Sequence, residues 1–572
     1  MQTAADRILI TALCIILGSW GVASIPILDR DEARFAEATR DMRQRGDAVV
    51  PFFNGEPHYH KPILVYWLQW GAISLLGPTP AAFRLPSVLC GAALLLALYD
   101  LGTLLSGRHA GILAALLAAA SPLIFAESRV ATADAAMAAA VLWSFVALRK
   151  LQTGTYCPWR WSAFLGTFLG LGALAKGPVA LLVVGLWMAA SGVLGFAMPG
   201  GGRGPAAPAP PPCHGRRSLA VPAAIAAAAL LITVLPWALL AGLRTDWAFW
   251  KEGLGFHFAG RLVRSYEGHR LFPGVHTLLL AVNCLPWSPL IPAAAIAAWR
   301  RLRSGDGSAR FLLGWAIGPL ILFEAASSRL PHYTLPVIPA FALLTAEFLV
   351  HRQGLPGGAG ASIEPGRRLA PLVAACVIAG GALLLAARPA LAFTPNLAAL
   401  AGTAADHAWI PGLVLAAGGA AALRIRARWG AAASIACALA VWILGLGLLW
   451  DGVVGEFPPL RLSGEIVQGI RAAGPGPGDR VLLASKLTRE PSLVFQLRRD
   501  LFPEAGRVEE VSPEAAARRI AAGPGPAWIV AIEADLEGIR RRMDRPLRIV
   551  ARIQGFNLSK GTAVDILIGR VE

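Results

Sequence analysis

The sequence predicts a polytopic α-helical membrane protein of about thirteen transmembrane helices, followed by a small C-terminal α/β domain outside the bilayer. Three observations carry this reading. Of 572 residues, 56% are hydrophobic and 15% charged, and the mean hydropathy is +0.57, more apolar than a soluble chain of this length. Apolar runs of roughly 20 residues, long enough to cross a hydrocarbon core, recur from Ile8 to near Trp450. After Asp451 the pattern changes to short β-rich runs alternating with amphipathic ones.

The expected spans are 7–27, 82–105, 109–126, 130–150, 161–175, 178–198, 219–242, 274–298, 309–324, 332–351, 369–392, 408–424 and 430–450. The first lacks a small-residue cleavage site and reads as an uncleaved span. An odd number sets the termini on opposite sides. Lys and Arg in short loops are retained in the cytoplasm, and a cytoplasmic N-terminus brings every short basic loop to that face: Arg108, Arg149 with Lys150, Arg300 to Arg303, Arg367 with Arg368, and Arg424 to Arg428. The outer face then receives segments 28–81, 127–133, 243–273, 325–331 and 393–407, with the tail. The domain reading is a membrane unit at 1–450, with outer interfacial helices at 29–80 and 243–273, and a soluble α/β unit at 451–572. Within the latter, residues 481–485, 527–533 and 564–571 read as buried strands, and 512–522 and 533–543 as helices.

A net charge of +17 points to anionic lipid or a phosphate-bearing lipid substrate, because the Arg residues are scattered between apolar runs and form no stripe interleaved with aromatics; nucleic acid is not an expected partner. The seven Cys residues show no CxxC pair and read as small core residues. The Pro/Gly/Ala-rich stretch 199–215 reads as a linker.

Candidate chemistry concentrates on the outer side. Residues 29–45 mix small apolar and charged side chains in a pattern that suits a helix lying in the membrane interface, holding Asp31 and Glu32 where a lipid presents its headgroup. The same charges equally suit a solvated face paired with Arg30, Arg34 and Arg40. Asp134 stands at the mouth of an apolar span, where an ionisable group marks function by default; a helix cap is the simpler alternative. Lys176, a lone cation between apolar runs, fits either a site or a side chain snorkelling to the interface. The loop 249–276 gathers Lys251, His257, Arg261, Arg264, His269 and Arg270, suited to a lipid phosphate or to general headgroup attraction. The turn 327–339 offers Arg329, His332 and Tyr333, the last also suited to an interfacial aromatic belt. A divalent metal is left open as a cofactor, with His60 and His257 as candidate ligands and Asp31, Glu56, His58 or His269 beside them; no HxxxH spacing supports one.

The segments DEARFAEATRDM, GDAVVPFFNGEPHYHKPILVYW, RLPSVL and SRLPHYTLPVIPA together resemble the polyprenyl-phosphate-sugar-dependent membrane glycosyltransferases of GT-C type, in particular the lipid A aminoarabinose transferases, with protein O-mannosyltransferases more distant. The resemblance implies a cavity facing the periplasm of a bacterial inner membrane, a polyprenyl-phosphate sugar donor and a glycolipid or other envelope acceptor. It implies Asp31 as general base or acceptor-orienting group, Asp134 as a second cavity carboxylate, and Lys61 holding the donor phosphate with Arg261 and Tyr333. Glu32, Tyr59, His60, His257, His269 and Arg329 are further substrate-binding candidates. Where the family usually has an acidic residue before the lysine, this chain has His60. A direct displacement by this machinery would invert the anomeric centre. Two other function classes stand beside it: a lipid-linked sugar transporter or flippase, disfavoured because charges sit in outer loops and not midway through spans, and a non-enzymatic scaffold acting through its tail. A protein Ser/Thr acceptor is the nearest enzymatic alternative.

Overall fold

The computed structural model describes the chain except residues 1, 29–30, 155, 198–219, 254, 256–259, 261–271, 351–364, 392–400, 402, 477, 505, 524, 558–561 and 572. Helices carry the long apolar stretches among the described residues, but the helix expected over 7–27 ends at Ser19 and the span expected at 274–298 is two helices interrupted between Asn283 and Ile291. In chain order they are α1 (Gln2–Ser19), α2 (Asp31–Arg45), α3 (Leu64–Leu76), α4 (Pro80–Ser106), α5 (Arg108–Ala119), α6 (Pro122–Glu127), α7 (Asp134–Thr153), α8 (Pro158–Lys176), α9 (Val179–Ala197) and α10 (Ala220–Arg244). There follow α11 (Val275–Asn283), α12 (Ile291–Arg303), α13 (Gly307–Ala325), α14 (Ile338–Val350), α15 (Pro365–Leu391) and α16 (Trp409–Gly452). Among the described residues, six helical stretches are long and apolar enough to cross a membrane: those at 80–106, 179–196, 220–244, 307–325, 369–391 and 404–456. Their outward faces carry large apolar side chains, Ile232 and Leu383 being more than 70% exposed, as lipid contact requires. The two spans expected at 408–424 and 430–450 form one helix broken at Gly430, whose φ of 85° only glycine adopts without strain.

From Pro458 the chain builds two layers of helix over a five-stranded sheet. The helices are α17 (Pro458–Ala472), α18 (Pro491–Asp500), α19 (Pro513–Ala522) and α20 (Glu533–Arg540). A two-residue hairpin, β1 (Phe52–Phe53) and β2 (Glu56–Pro57), precedes α3; the sheet strands are β3 (Arg480–Leu483), β4 (Val508–Glu510), β5 (Ala527–Ile532), β6 (Leu547–Asn557) and β7 (Thr562–Val571). Their order is β4-β3-β5-β7-β6, parallel across the first three and antiparallel beyond. Alternating strand residues face opposite cores: Val481, Trp528 and Ile568 meet α17 and α18, while Leu482, Ile529 and Leu567 meet α19 and α20. Asn54 and Gly55 turn the hairpin with positive φ at both positions, and Phe53 packs on the first of these cores.

One polar knot fixes the outer end of the membrane unit. The Arg84 guanidinium, fully buried at the start of α4, donates to both Glu32 oxygens at 2.8 Å and to the carbonyls of Val22, Ile25 and Pro26 at 2.7–2.9 Å. Glu32 also accepts from the backbone N–H of Leu28 at 2.6 Å and of Ala131 at 2.7 Å. The pair thus joins the exit of α1, the start of α2, the start of α4 and the turn leading into α7.

The position of α2 differs from its expected place on the lipid surface. Glu32 through Met42, apart from the half-buried Arg34, are buried, because α18 covers one side of the helix while α3 and its neighbours hold the other. Glu32, Glu37, Arg40 and Asp41 are paired inside the protein, while Asp31, Arg43 and Arg45 at the two ends of the helix stay exposed.

Removing one member of a buried ion pair leaves a bare charge, which costs about 3–5 kcal/mol. Arg84→Met is therefore expected to lower the melting temperature of the detergent-purified protein sharply. Adding Glu32→Leu should restore only part of the loss, since the Leu28 and Ala131 N–H groups stay orphaned at about 1–3 kcal/mol each. Complete recovery in the double variant would mean that Glu32 acts as a counter-ion alone.

Candidate functional site

A cavity of about 1050 Å³ opens among α2, α7, α8, α9 and the turn after α13, lined by Asp31, Lys61, Asp134, Lys176, His332 and Tyr333 over an apolar floor. All but Lys61 stand at the end of a helix or in a 3-10 turn. Asp31 is the first residue of α2 and Asp134 the first of α7; Lys176 is the last of α8, and His332 and Tyr333 lie in a 3-10 turn at Pro331–Thr334. Lys61 lies between β2 and α3. Carboxylates at helix N-termini and a cation at a C-terminus are each favoured by the macrodipole, typically by 0.3–1 kcal/mol. Met137, Val183, Leu322 and Phe323 supply the floor.

The Asp134 carboxylate receives a hydrogen bond from the Lys176 ammonium, and both side chains are about 11% exposed. Asp134 does not cap its helix: Ala133 holds the cap position, and no side-chain cap bond forms. Lys176 does not reach outward to the interface; its ammonium also lies 5.9 Å from the Tyr333 ring. Asp31, in contrast, is 64% exposed, and its ion pair among the described residues is with Arg34 at 3.4 Å, the longest of the contacts here. An open carboxylate above a buried, paired one is an arrangement in which the first can meet an incoming oxygen while the second holds a lysine in place.

A second cavity, of about 800 Å³, lies on the other side of the two lysines. Lys61 and Lys176 line both spaces, and Tyr59, His60, Trp237 and Phe249 line the second. The Tyr59 ring packs edge-on against Phe249 at 5.5 Å, and His60 lies 4.2 Å from the His58 ring. Two apolar compartments that meet at two ammonium groups can hold two lipid chains with their anionic heads together.

Of the residues expected from sequence, Asp31, Asp134, Lys61 and Tyr333 line the first cavity and Tyr59 and His60 the second. Glu32 lies away from both, turned into the protein against Arg84. Arg329 donates to the Glu324 carbonyl at 2.9 and 3.2 Å, closing the end of α13, and is not among the lining residues. Arg261, His257 and His269 fall outside the described residues. Among the described residues, no three of His, Cys, Asp and Glu converge as metal ligands.

Lys176 and His332, named from the sequence without an assigned role, line the site as well, and Glu127, not singled out there, stands beside it. At the end of α6, Glu127 accepts from the Thr132 hydroxyl at 3.1 Å, and Thr132 lines the first cavity. Burial, and next the Asp134 charge, push its carboxyl up to about 8. In sequence it is one acidic residue after an apolar run, with nothing to show how closely Asp134 lies.

Residues 60–194 match the family described as dolichyl-phosphate-mannose-protein mannosyltransferase. The chain is 30% identical over 327 residues to an undecaprenyl phosphate-alpha-4-amino-4-deoxy-L-arabinose arabinosyl transferase of Yersinia enterocolitica, the match covering 56% of this chain and 54% of that one. The counterpart in Yersinia pestis is 29% identical over 329 residues, with the same coverage. The alignment therefore spans about half the length of the curated relatives. Crystal structures of ArnT from Cupriavidus metallidurans superpose with a TM-score of 0.75: the form bound to undecaprenyl phosphate covers 98% of this chain and 97% of that one at 19% identity, and the apo form 99% and 98% at 20%. The likeness is one of fold, and it extends through the C-terminal layers.

A carboxyl whose pKa is higher folded than unfolded holds its proton more tightly in the native state. For Glu127 that stabilisation is complete below the ordinary value of 4.5 and is lost as pH rises through about 8. Between about pH 6 and about pH 9 the melting temperature of Glu127→Gln should accordingly fall less than that of the wild type. Parallel pH profiles would remove Glu127 as the titrating group.

Proposed function

We propose that this chain is a membrane glycosyltransferase that moves a sugar, 4-amino-4-deoxy-L-arabinose as in the relatives' names, from polyprenyl phosphate to a lipid A-like envelope glycolipid. The observation that carries the reading is the meeting of two apolar cavities at Lys61 and Lys176, with the open carboxylate of Asp31 on the rim. The proposed topology has thirteen spans, a cytoplasmic N-terminus and a periplasmic tail, which sets this rim at the outer leaflet of the inner membrane.

Chemistry follows from the groups present. The donor enters with its prenyl chain in one cavity and its phosphate against Lys61, with Tyr333 beside it and Arg261 as the proposed further contact. The acceptor oxygen approaches C1 from the opposite side, and Asp31 orients it or takes its proton. A C1–O bond forms to the acceptor as the bond from C1 to the phosphate oxygen breaks. Its electron pair stays on the departing polyprenyl phosphate, where Lys61 and Lys176 offset the growing charge. Asp134 keeps Lys176 at that spot. A phosphate leaves without protonation, so no general acid is needed, and the single displacement inverts C1.

The match over residues 60–194 to a protein mannosyltransferase family favours a second reading, with a protein hydroxyl as acceptor. Mass spectrometry of envelope lipids and of glycoproteins from a deletion strain separates the two. Loss of a sugar from lipid A with proteins unchanged supports the first reading, and the reverse supports the second.

With purified enzyme, a polyprenyl-phosphate sugar and an acceptor, Asp31→Asn should lower transfer by about 10²–10⁴-fold. Lys61→Ala should weaken both donor use and turnover by about 10–100-fold, the worth of a charged hydrogen bond to phosphate. Full transfer by Asp31→Asn would remove this carboxylate from the reaction.

A further inference from the structure

We propose that the C-terminal layers are a positioning element for the reaction, acting through Arg498, which sets the place of Asp31 by gripping α2 from above. This inference rests on the functional reading above. The contact is built from a side chain buried to 1% exposure on α18. One terminal nitrogen of Arg498 bonds Glu37, and both reach Asp41, each at 2.8 Å. Arg40 grips Glu37 from its own helix at 2.8 and 2.9 Å. Two guanidinium groups and two carboxylates, all at most 6% exposed, thus form a cluster of balanced formal charge between the tail and α2.

Placement gives the cluster its consequence. Glu37 and Asp41 lie on one face of α2, and Glu37 is about 9 Å along the helix from Asp31. One turn before Arg498, Phe495 meets the Phe83 ring edge-on at 5.5 Å and shares a buried apolar cluster with Ala33 and Ala36. The first turn of α2 is held by Glu32 on Arg84. Asp31, exposed and among the described residues paired with the half-buried Arg34 of its own helix, takes its pose from a helix pinned by Arg84, Phe495 and Arg498. A contact selected for stability alone would be served as well by apolar side chains, because buried ion networks often do no better than hydrophobic replacements of equal volume. What the Arg498 fork adds is a single register of α18 on α2.

The test uses the full chain in lipid nanodiscs. Arg498→Met should lower kcat for sugar transfer by about tenfold or more with the donor KM within about threefold, the pattern of a misplaced reacting group. Amide hydrogen exchange over 31–45 should rise while α7 and α8 keep wild-type protection. Arg498→Lys, which keeps the charge and loses the fork, should recover part of kcat. If Arg498→Met does not fold, Phe495→Leu carries the same two readouts. Wild-type exchange over 31–45 in the variants, or raised exchange with unchanged kcat, overturns the proposal; so does a kcat loss accompanied by equal loosening throughout the membrane helices. Should the wild type transfer no sugar from any polyprenyl phosphate, the functional reading fails. The exchange arm then still reports whether Arg498 holds α2.

Discussion

The bridge between Glu32 and Arg84 is the constraint on which the outer face of this molecule depends. Both groups are removed from water, and a buried carboxylate or guanidinium is tolerable only when its partners are complete. Here they are: Arg84 directs its donors to one carboxylate and three carbonyls, and Glu32 adds two backbone N–H groups. Because those partners belong to four separate segments, satisfying one ion pair fixes where α2 and α7 begin. Asp31 and Asp134 are the residues at those two beginnings.

The same rule governs the charges that line the cavity. In a low-dielectric setting an isolated lysine or aspartate is unfavourable by a few kcal/mol at the centre of a membrane and by less at its edge. The chain keeps Asp31, Asp134 and Lys176 at helix ends, where backbone dipoles of the right sign already point, and pairs the buried Asp134 with Lys176. Asp31 is left open, and it is the group proposed to exchange a proton. Exposure thus separates the two acids in what they can do, the paired one positioning a cation and the open one being free to meet substrate.

How much of this was legible in the sequence follows from the range of each interaction. The long apolar runs and three strands of the tail are local patterns, and helices and strands stand at most of them; α17, α18, β4 and β6 were not expected, and the span expected at 274–298 is two helices. Asp31, Asp134 and Tyr333 were legible because charged or aromatic residues at span mouths are conspicuous; Lys61 entered only with the resemblance, which gave all four their roles. Glu32 was misplaced because its partner is 52 positions away, on α4. Lys176 stayed ambiguous because the acid that claims it is 42 positions away, on another helix. The interfacial character expected of α2 failed for the same reason: local spacing shows an amphipathic, charged helix, and only Arg498, 461 positions from Glu37, reveals that its polar face is roofed by protein.

That roof changes how the tail is to be understood. A domain merely tethered outside the membrane would meet it through a polar, hydrated surface, as loosely associated domains do. Here Phe495 lies within a cluster that includes Ile27, Ala82, Phe83 and Ala131, residues of the membrane unit, and Arg498 is as dry as the core of either part. Desolvating a guanidinium and two carboxylates at one junction is unfavourable in any half-formed state, because each charge is compensated only when the whole cluster is assembled. The junction therefore has one well-defined geometry, and the helix that presents Asp31 shares it.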